Sequence, residues 1–314
     1  MVTLLKHIGI NMSEPMAFGL SSALNFAYLP FIKVGGQPLM AYRMPPRFII
    51  KTLCKRLGIK LKQQKFRSEQ AGLEALEAAL AQGHIVGLQT SVFWLPYFPD
   101  EMRFHFNAHN LVVYGKQGEE FLLSDPVVEY PVSCHQRDLQ KARFAKGALA
   151  AKGNMYYPIT KPDHIDYPKL IRKAIASTVK IVDGLPLPIV GIRGIRFMAN
   201  KIEKLPMTNG RDHNSKLFLG HIVRMQEEIG TGGAGFRFMY ASFLQEAANL
   251  VESQLLLQLS DAMTEVGDNW REFAMNAVKI CKGRGDVTLS QLADSLRSIA
   301  NDEQKIISGL KSYS

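Results

Sequence analysis

The 314-residue sequence predicts an α+β domain over residues 1–160 and an all-helical domain over residues 165–314. In the first part, segments with the apolar spacing of helices alternate with short runs typical of strands. In the second part, almost every segment from residue 167 onward has helical spacing. Three prolines, Pro158, Pro162 and Pro168, lie between the two parts and indicate a linker.

Each predicted element has a helix or strand period bounded by start and stop signals. Gly9 ends the first helix and Ser13-Glu14-Pro15 begins the next, because glycine stops helices and proline suits their first turn. The other elements of the first domain are helices over 45–57, 68–82 and 139–146, and strands over 59–66, 84–90 and 154–159. In the second domain, helices are predicted over 192–205, 215–229, 236–266, 270–281 and 290–310.

Composition and charge narrow the possible classes of protein. No apolar run is as long as a membrane span, and the first residues lack the pattern of a secretory signal. Three widely spaced cysteines fit a reducing compartment better than a disulfide framework, so we predict a cytoplasmic protein. The net charge of +10 suggests an acidic partner or anionic substrate, or else a solvated basic face. We predict no nucleic-acid partner, because the basic residues have little aromatic interleaving.

The most informative stretch is FNAHNLVVYGKQGEEFLLSDPVVEY, residues 106–130, which predicts a β-hairpin. His109 begins its first strand and Asp125 follows its second. If residues 116–118 form a three-residue loop, these two side chains face each other with Cβ atoms roughly 5 Å apart. A two-residue loop would shift the register by one residue and place them on opposite faces. We predict His109 and Asp125 as catalytic residues, since a carboxylate-oriented imidazole is part of a nucleophilic triad, although a strand histidine is usually structural.

Three further residues are candidates for binding a substrate. Trp94 and Tyr97 belong to an aromatic loop, residues 91–100, which could wall a pocket beside His109 or simply cover the core. Arg237 follows residues 230–235, which match the pattern GxGxxG. Nucleotide binding requires a strand before that pattern, but the preceding residues are helical, so we expect a connection between helices. Arg237 could face a substrate cleft or pack between domains. No cluster of His, Cys and carboxylates indicates a metal site.

The two catalytic strands also resemble those of a known family. Residues 109–115 and 122–126 are similar to the His and Asp strands of papain-like cysteine peptidases of the bacteriocin-processing type. Residues 12–20, MSEPMAFGL, resemble the start of the N-terminal domain of butirosin biosynthesis protein H. Residues 230–247 resemble the helical domain of unknown function that commonly follows it. The resemblance implies a papain-like N-terminal domain.

It also implies a reaction: transfer of an acyl or aminoacyl group from a carrier-protein thioester to an amine. The expected nucleophile is a cysteine at the start of the first helix, with His109 as base and Asp125 orienting it. None of Cys54, Cys134 and Cys281 matches that position, so the cysteine is expected before Met1. The implied partners are an acidic acyl-carrier protein, whose phosphopantetheine is a co-substrate, and a small amine; no bound cofactor is expected. The alternatives are a non-catalytic binding relative and a thioester or peptide hydrolase.

Overall fold

A computed structural model describes residues 1–34, 36–147, 149–207, 212–228 and 232–314. The chain forms an α+β sheet region followed by helices, as predicted. It divides into two compact units, one of residues 1–12, 33–36 and 53–165, the other of residues 13–32, 37–52 and 166–314. These units differ from the contiguous domains predicted from the sequence, because two N-terminal segments fold with the helices.

The first unit is built on a six-stranded sheet in which every neighbouring pair is antiparallel. The strand order is β3-β8-β4-β5-β6-β7. The strands are β3 (Leu61–Gln64), β4 (Val86–Thr90), β5 (His109–Gln117), β6 (Glu120–Ser124), β7 (Val132–His135) and β8 (Met155–Pro158). The helices are α1 (Val2–His7), α4 (Glu69–Ala81) and α5 (Gln136–Phe144), and the last turn of α3 (Pro46–Leu57) also belongs here.

Alternation along the strands produces the core of this unit. Leu88 of β4, Leu111 of β5 and Leu123 of β6 are buried together on one face, against apolar residues of α4 and α5. Leu76 is the centre of the α4 stripe predicted from helical spacing, and it is fully buried. Ser68 begins α4 as predicted, because its side chain accepts a hydrogen bond from the Ala71 amide.

The second unit combines a β-hairpin with a helical assembly. The hairpin strands are β1 (Leu24–Val34) and β2 (Gln37–Arg43), and the helices are α2 (Glu14–Leu20), α6 (Tyr167–Val182), α7 (Gly191–Glu203), α8 (His213–Val223), α9 (Arg237–Val251), α10 (Gln254–Lys282) and α11 (Leu289–Tyr313). Phe26 of β1 and Tyr42 of β2 pack against Trp270 of α10, with ring centroids 6.1 and 5.6 Å from the indole. These contacts explain why the hairpin belongs to the helical unit.

The helix predicted over 236–266 is wrong, since two helices meet within it. Glu252 has a left-handed backbone with φ of 51°, which ends α9, and Ser253 caps α10 by accepting a hydrogen bond from Leu256 N. The apolar spacing continues across this point, so the capping residue Ser253 is the local signal for the break. No helix in the described residues has the length and apolar character that a membrane crossing requires.

The glycine-rich connection before α9 is described from Gly232 onward, and Gly230 and Thr231 lie outside the described residues. Residues 232–236 all have positive φ, including Ala234 and Phe236. Gly235 lies against the ring of Tyr42, where a Cβ atom would come within 2.3 Å of a ring carbon. The segment follows a π-helical turn, Arg224–Glu228, so what precedes it in the described residues is helical.

Candidate active site

His109 and Asp125 form a hydrogen-bonded pair in the first unit. The His109 Nε2 atom lies 2.6 Å from Asp125 Oδ2. The Asp125 side chain is fully buried, and that of His109 is one-tenth exposed. Because a carboxylate only accepts hydrogen bonds, Nε2 carries the hydrogen, and in neutral imidazole Nδ1 then has a free lone pair. The pair therefore has the orientation that a general base requires.

A turn and a bulge bring the two side chains to the same face. Of the two loop lengths considered, the turn has the shorter, with the two residues Gly118 and Glu119, because Gln117 pairs with Glu120. The register then shifts by one residue between Val113 and Gly115. This bulge cancels the change of face that a two-residue turn would cause. His109 and Asp125 are thus diagonal neighbours on one face instead of directly opposite.

Asp125 accepts hydrogen bonds from three donors. Besides His109, the Tyr97 hydroxyl donates to Oδ2 at 2.7 Å and the Val127 amide donates to Oδ1 at 3.0 Å. Burial by itself raises the pKa of Asp125, but these hydrogen bonds and the charge of His109 outweigh it, so that the pKa lies below its ordinary value. Burial, followed by the nearby Asp125 charge, raises the pKa of Tyr97 far above its usual range. Asp125 is therefore a carboxylate, and Tyr97 remains a hydroxyl donor.

The aromatic loop divides between the pair and the core. Phe98 meets the His109 ring edge to face, with centroids 5.5 Å apart, and Tyr97 packs beside Phe98. Trp94 packs against the core, and the Lys141 ammonium lies 5.2 Å from its ring centroid. Of the two loop residues predicted to bind substrate, Tyr97 contacts Asp125 directly, and substrate binding by either residue stays a prediction. The role of Tyr97 in holding Asp125 was not foreseen, because the register of a loop against a strand leaves no periodic signal.

Arg237 lies in the second unit and is almost completely buried. Its Nε and Nη2 atoms donate to the two carboxylate oxygens of Glu303 at 2.9 and 3.1 Å. Trp270 Nε1 donates to the same carboxylate at 2.9 Å, and the Arg237 guanidinium lies 5.1 Å from the Trp270 ring centroid. Substrate binding by Arg237 stays a prediction, and these contacts give the residue a packing role.

The three cysteines have no contact with His109 among the described residues. Burial raises the pKa of Cys54 to about 11 and that of Cys134 to about 12. Burial likewise raises the pKa of Cys281. All three are therefore thiols rather than thiolates at neutral pH, unlike an activated cysteine nucleophile. Within the described residues, no group of three or more His, Cys, Asp or Glu side chains is arranged to hold a metal ion.

Helix α1 packs against strand β8 of the sheet that carries His109. At the C-terminal end of this helix, the His7 ring contacts the Gly83 carbonyl oxygen at 3.1 Å, just before β4 begins. Tyr156 of β8 is buried in the same sheet. The Tyr156 hydroxyl donates to Asn110 Oδ1 at 3.1 Å, next to His109.

Two family models match the chain. Residues 1–126 match "Butirosin biosynthesis protein H, N-terminal", and residues 137–310 match "Domain of unknown function (DUF4872)". The second match covers more than half of the chain, which therefore belongs to the family of proteins with this domain of unknown function, and its N-terminal part is similar to the N-terminal domain of butirosin biosynthesis protein H. No curated protein matches it.

The family boundary differs from the boundary of the compact units. The second match begins at residue 137, within α5, and therefore includes β8. Strand β8 lies between β3 and β4 in the sheet of the first unit. In this chain, the region that matches the domain of unknown function thus supplies a strand to the sheet that carries His109.

Proposed function

We propose that this chain is an acyl or aminoacyl transferase that moves an acyl group from a carrier-protein thioester to an amine in secondary metabolism. The observation that carries the proposal is the His109–Asp125 pair, in which Asp125 accepts the hydrogen of Nε2 and leaves Nδ1 as the unprotonated nitrogen of the neutral imidazole. The N-terminal similarity supports an acyl-transfer role related to butirosin biosynthesis. The nucleophile in this proposal is a cysteine just before Met1, at the start of α1 in a papain-like site.

Each half of the proposed reaction uses the same base. The cysteine Sγ attacks the thioester carbonyl carbon, its proton passes to His109 Nδ1, and the phosphopantetheine thiol leaves with that proton. The acceptor amine then attacks the acyl-cysteine, gives its proton to Nδ1, and the cysteine leaves as the thiol. Asp125 stabilises the imidazolium that forms in each step. The start of α1 favours a thiolate because helix N-termini are electropositive.

The donor and acceptor follow from the same chemistry. An acidic carrier protein suits a chain with a net charge of +10, and the phosphopantetheine arm is a co-substrate rather than a bound cofactor. The acceptor is a small molecule with an unprotonated amine. A cytoplasmic location is part of this proposal, since both carrier proteins and reduced cysteines belong to that compartment.

The test uses a protein extended upstream of Met1 along its own reading frame. It is mixed with an aminoacyl carrier-protein thioester and an aminoglycoside amine, and product is measured by mass spectrometry. We expect His109→Ala to lower the transfer rate by about 10²–10⁴-fold, because a general base contributes on that scale. His164→Ala is the control, since His164 is exposed in the same unit and lies outside the site. Equal rates in the two variants would disprove the proposal.

A non-catalytic binding relative is the second candidate, favoured by the buried, protonated state of the cysteines in the described residues. An upstream reading frame without a cysteine codon next to Met1 would support it. A hydrolase is distinguished by the product: free acid in the presence of the amine indicates hydrolysis, and the amide indicates transfer.

A further inference from the structure

The positive charge of this chain is concentrated in one part of the sequence. Residues 15–68 contain ten Lys or Arg residues and neither Asp nor Glu. The chain as a whole has a net charge of +10, so the rest of the sequence is close to neutral. In the first unit, this segment contributes five exposed cations: Lys55, Lys60, Lys62, Lys65 and Arg67.

Four of these cations line an edge of the sheet. Lys60 directly precedes β3 and Lys62 lies within it. Lys65 and Arg67 follow the strand. Strand β3 is the terminal strand in the sheet order, with β8 as its single neighbour within the described residues. An edge strand presents backbone N–H and C=O groups that can pair with another chain. The four residues define a basic edge, the name used below.

One end of the basic edge lies level with His109. Thr90 of β4 pairs with His109 of β5. On the other side of β4, the Gln89 amide donates to the Asn154 carbonyl, so the preceding residue, Gly153, lies beside Thr90. The Phe66 amide donates to the Lys152 carbonyl at 3.0 Å, which continues the same row to β3. Three strand spacings separate the ends of this row, so the backbone near Phe66 lies about 14 Å from that of His109.

The cations of the basic edge have no acidic neighbours in contact. Within the described residues, no ion pair includes Lys60, Lys62, Lys65 or Arg67. The Lys62 ammonium lies 5.6 Å from the centroid of the Tyr157 ring, and Lys152 adds another exposed cation at the end level with His109. Like charges placed side by side repel each other, and an acidic surface would remove that repulsion.

We infer that the basic edge is the docking surface for an acidic protein partner, which it places beside His109. A folded acidic protein fits better than nucleic acid, because Tyr157 is already covered by Lys62 and the edge lacks exposed aromatic side chains for base stacking. The inference rests on the proposed function only for the partner's cargo, an acyl thioester. Docking itself requires no chemistry and is measured separately.

The experiment measures binding of full-length protein to a phosphopantetheinylated acyl-carrier protein that carries no acyl group. The test variant is Lys60→Glu/Lys65→Glu/Arg67→Glu, which spares Lys62 and its contact with Tyr157. The control is Lys282→Glu/Arg284→Glu/Lys311→Glu, three exposed cations of the second unit. We expect the test variant to raise the Kd about tenfold or more and the control to change it about twofold or less, because three rim ion pairs become three repulsions.

A milder variant, Lys60→Gln/Lys65→Gln/Arg67→Gln, guards against misfolding and is expected to give an intermediate Kd. His109→Ala is expected to bind like the unmodified protein, which separates docking from catalysis. Four results would overturn the inference: equal weakening in the test and control variants, an unchanged Kd in the test variant, no binding by the unmodified protein, or tighter binding of a single-stranded RNA that the test variant also weakens. An unchanged Kd in the test variant would mean that these lysines only guard the strand against edge-to-edge association.

Discussion

The hydrogen bond from Tyr97 to Asp125 makes a prediction that needs no assay of activity. Tyr97→Phe removes the hydroxyl that donates to Asp125 Oδ2 at 2.7 Å and leaves the ring in place. A hydrogen bond to a charged group contributes about 1.5–3 kcal/mol. Because the Asp125 side chain is fully buried, water does not replace the lost donor. We therefore expect the free energy of unfolding to fall by that amount at neutral pH.

The pH dependence has a definite sign. The pKa of Asp125 is lower in the folded than in the unfolded protein, so its contribution to stability is present above pH ~4 and is lost as the pH falls through the folded-state pKa. The Tyr97 hydroxyl is one of the donors that lower this pKa. In Tyr97→Phe the pKa of Asp125 rises toward its unfolded-state value, so acidification below pH ~4 removes less stability than in the unmodified protein.

Stability is measured by urea unfolding, monitored by circular dichroism, at pH values from about 3 to about 8. These limits span the pH ranges in which carboxylates and imidazoles titrate. Tyr114→Phe is the matched control, since Tyr114 lies at the bulge of β5 and is exposed. A double variant with Asp125→Asn tests the coupling, and there the effect of removing the hydroxyl should shrink. If Tyr97→Phe and Tyr114→Phe lose the same stability and share one acid profile, the role assigned to Tyr97 is refuted.

Two further predictions concern the second unit and use thermal or urea unfolding. Arg237→Met should cost about 3–5 kcal/mol, because it leaves Glu303 buried without its partner, whereas Arg297→Met, at an exposed ion pair, should cost much less; similar losses would contradict the buried pairing. Gly235→Ala should destabilise the protein by about 1–3 kcal/mol more than Gly283→Ala, because both residues have positive φ but only Gly235 lies against Tyr42. Equal losses would show that backbone conformation alone decides.

Much of the local structure could be predicted from the sequence. The starts of α2 and α4, the stop at Gly9 and the helical character after residue 167 follow from capping residues and apolar spacing. These signals lie within a few residues of the element that they define, and no distant contact is needed to form them. At the break between α9 and α10 the apolar spacing continues and neither glycine nor proline is present, so the local signal is Ser253, which caps α10.

The sequence by itself determined that His109 and Asp125 flank one hairpin and that an aromatic loop precedes it. Whether the two side chains share a face depended on two features together, the length of the turn and the presence of a bulge in the strand pair. Each of them shifts the strand register by one residue. A sequence pattern shows neither choice, because both conserve the apolar runs. Tertiary structure also decided the contact of Tyr97 with Asp125 and the packing of β1 and β2 with the helices, since both join segments far apart in the chain.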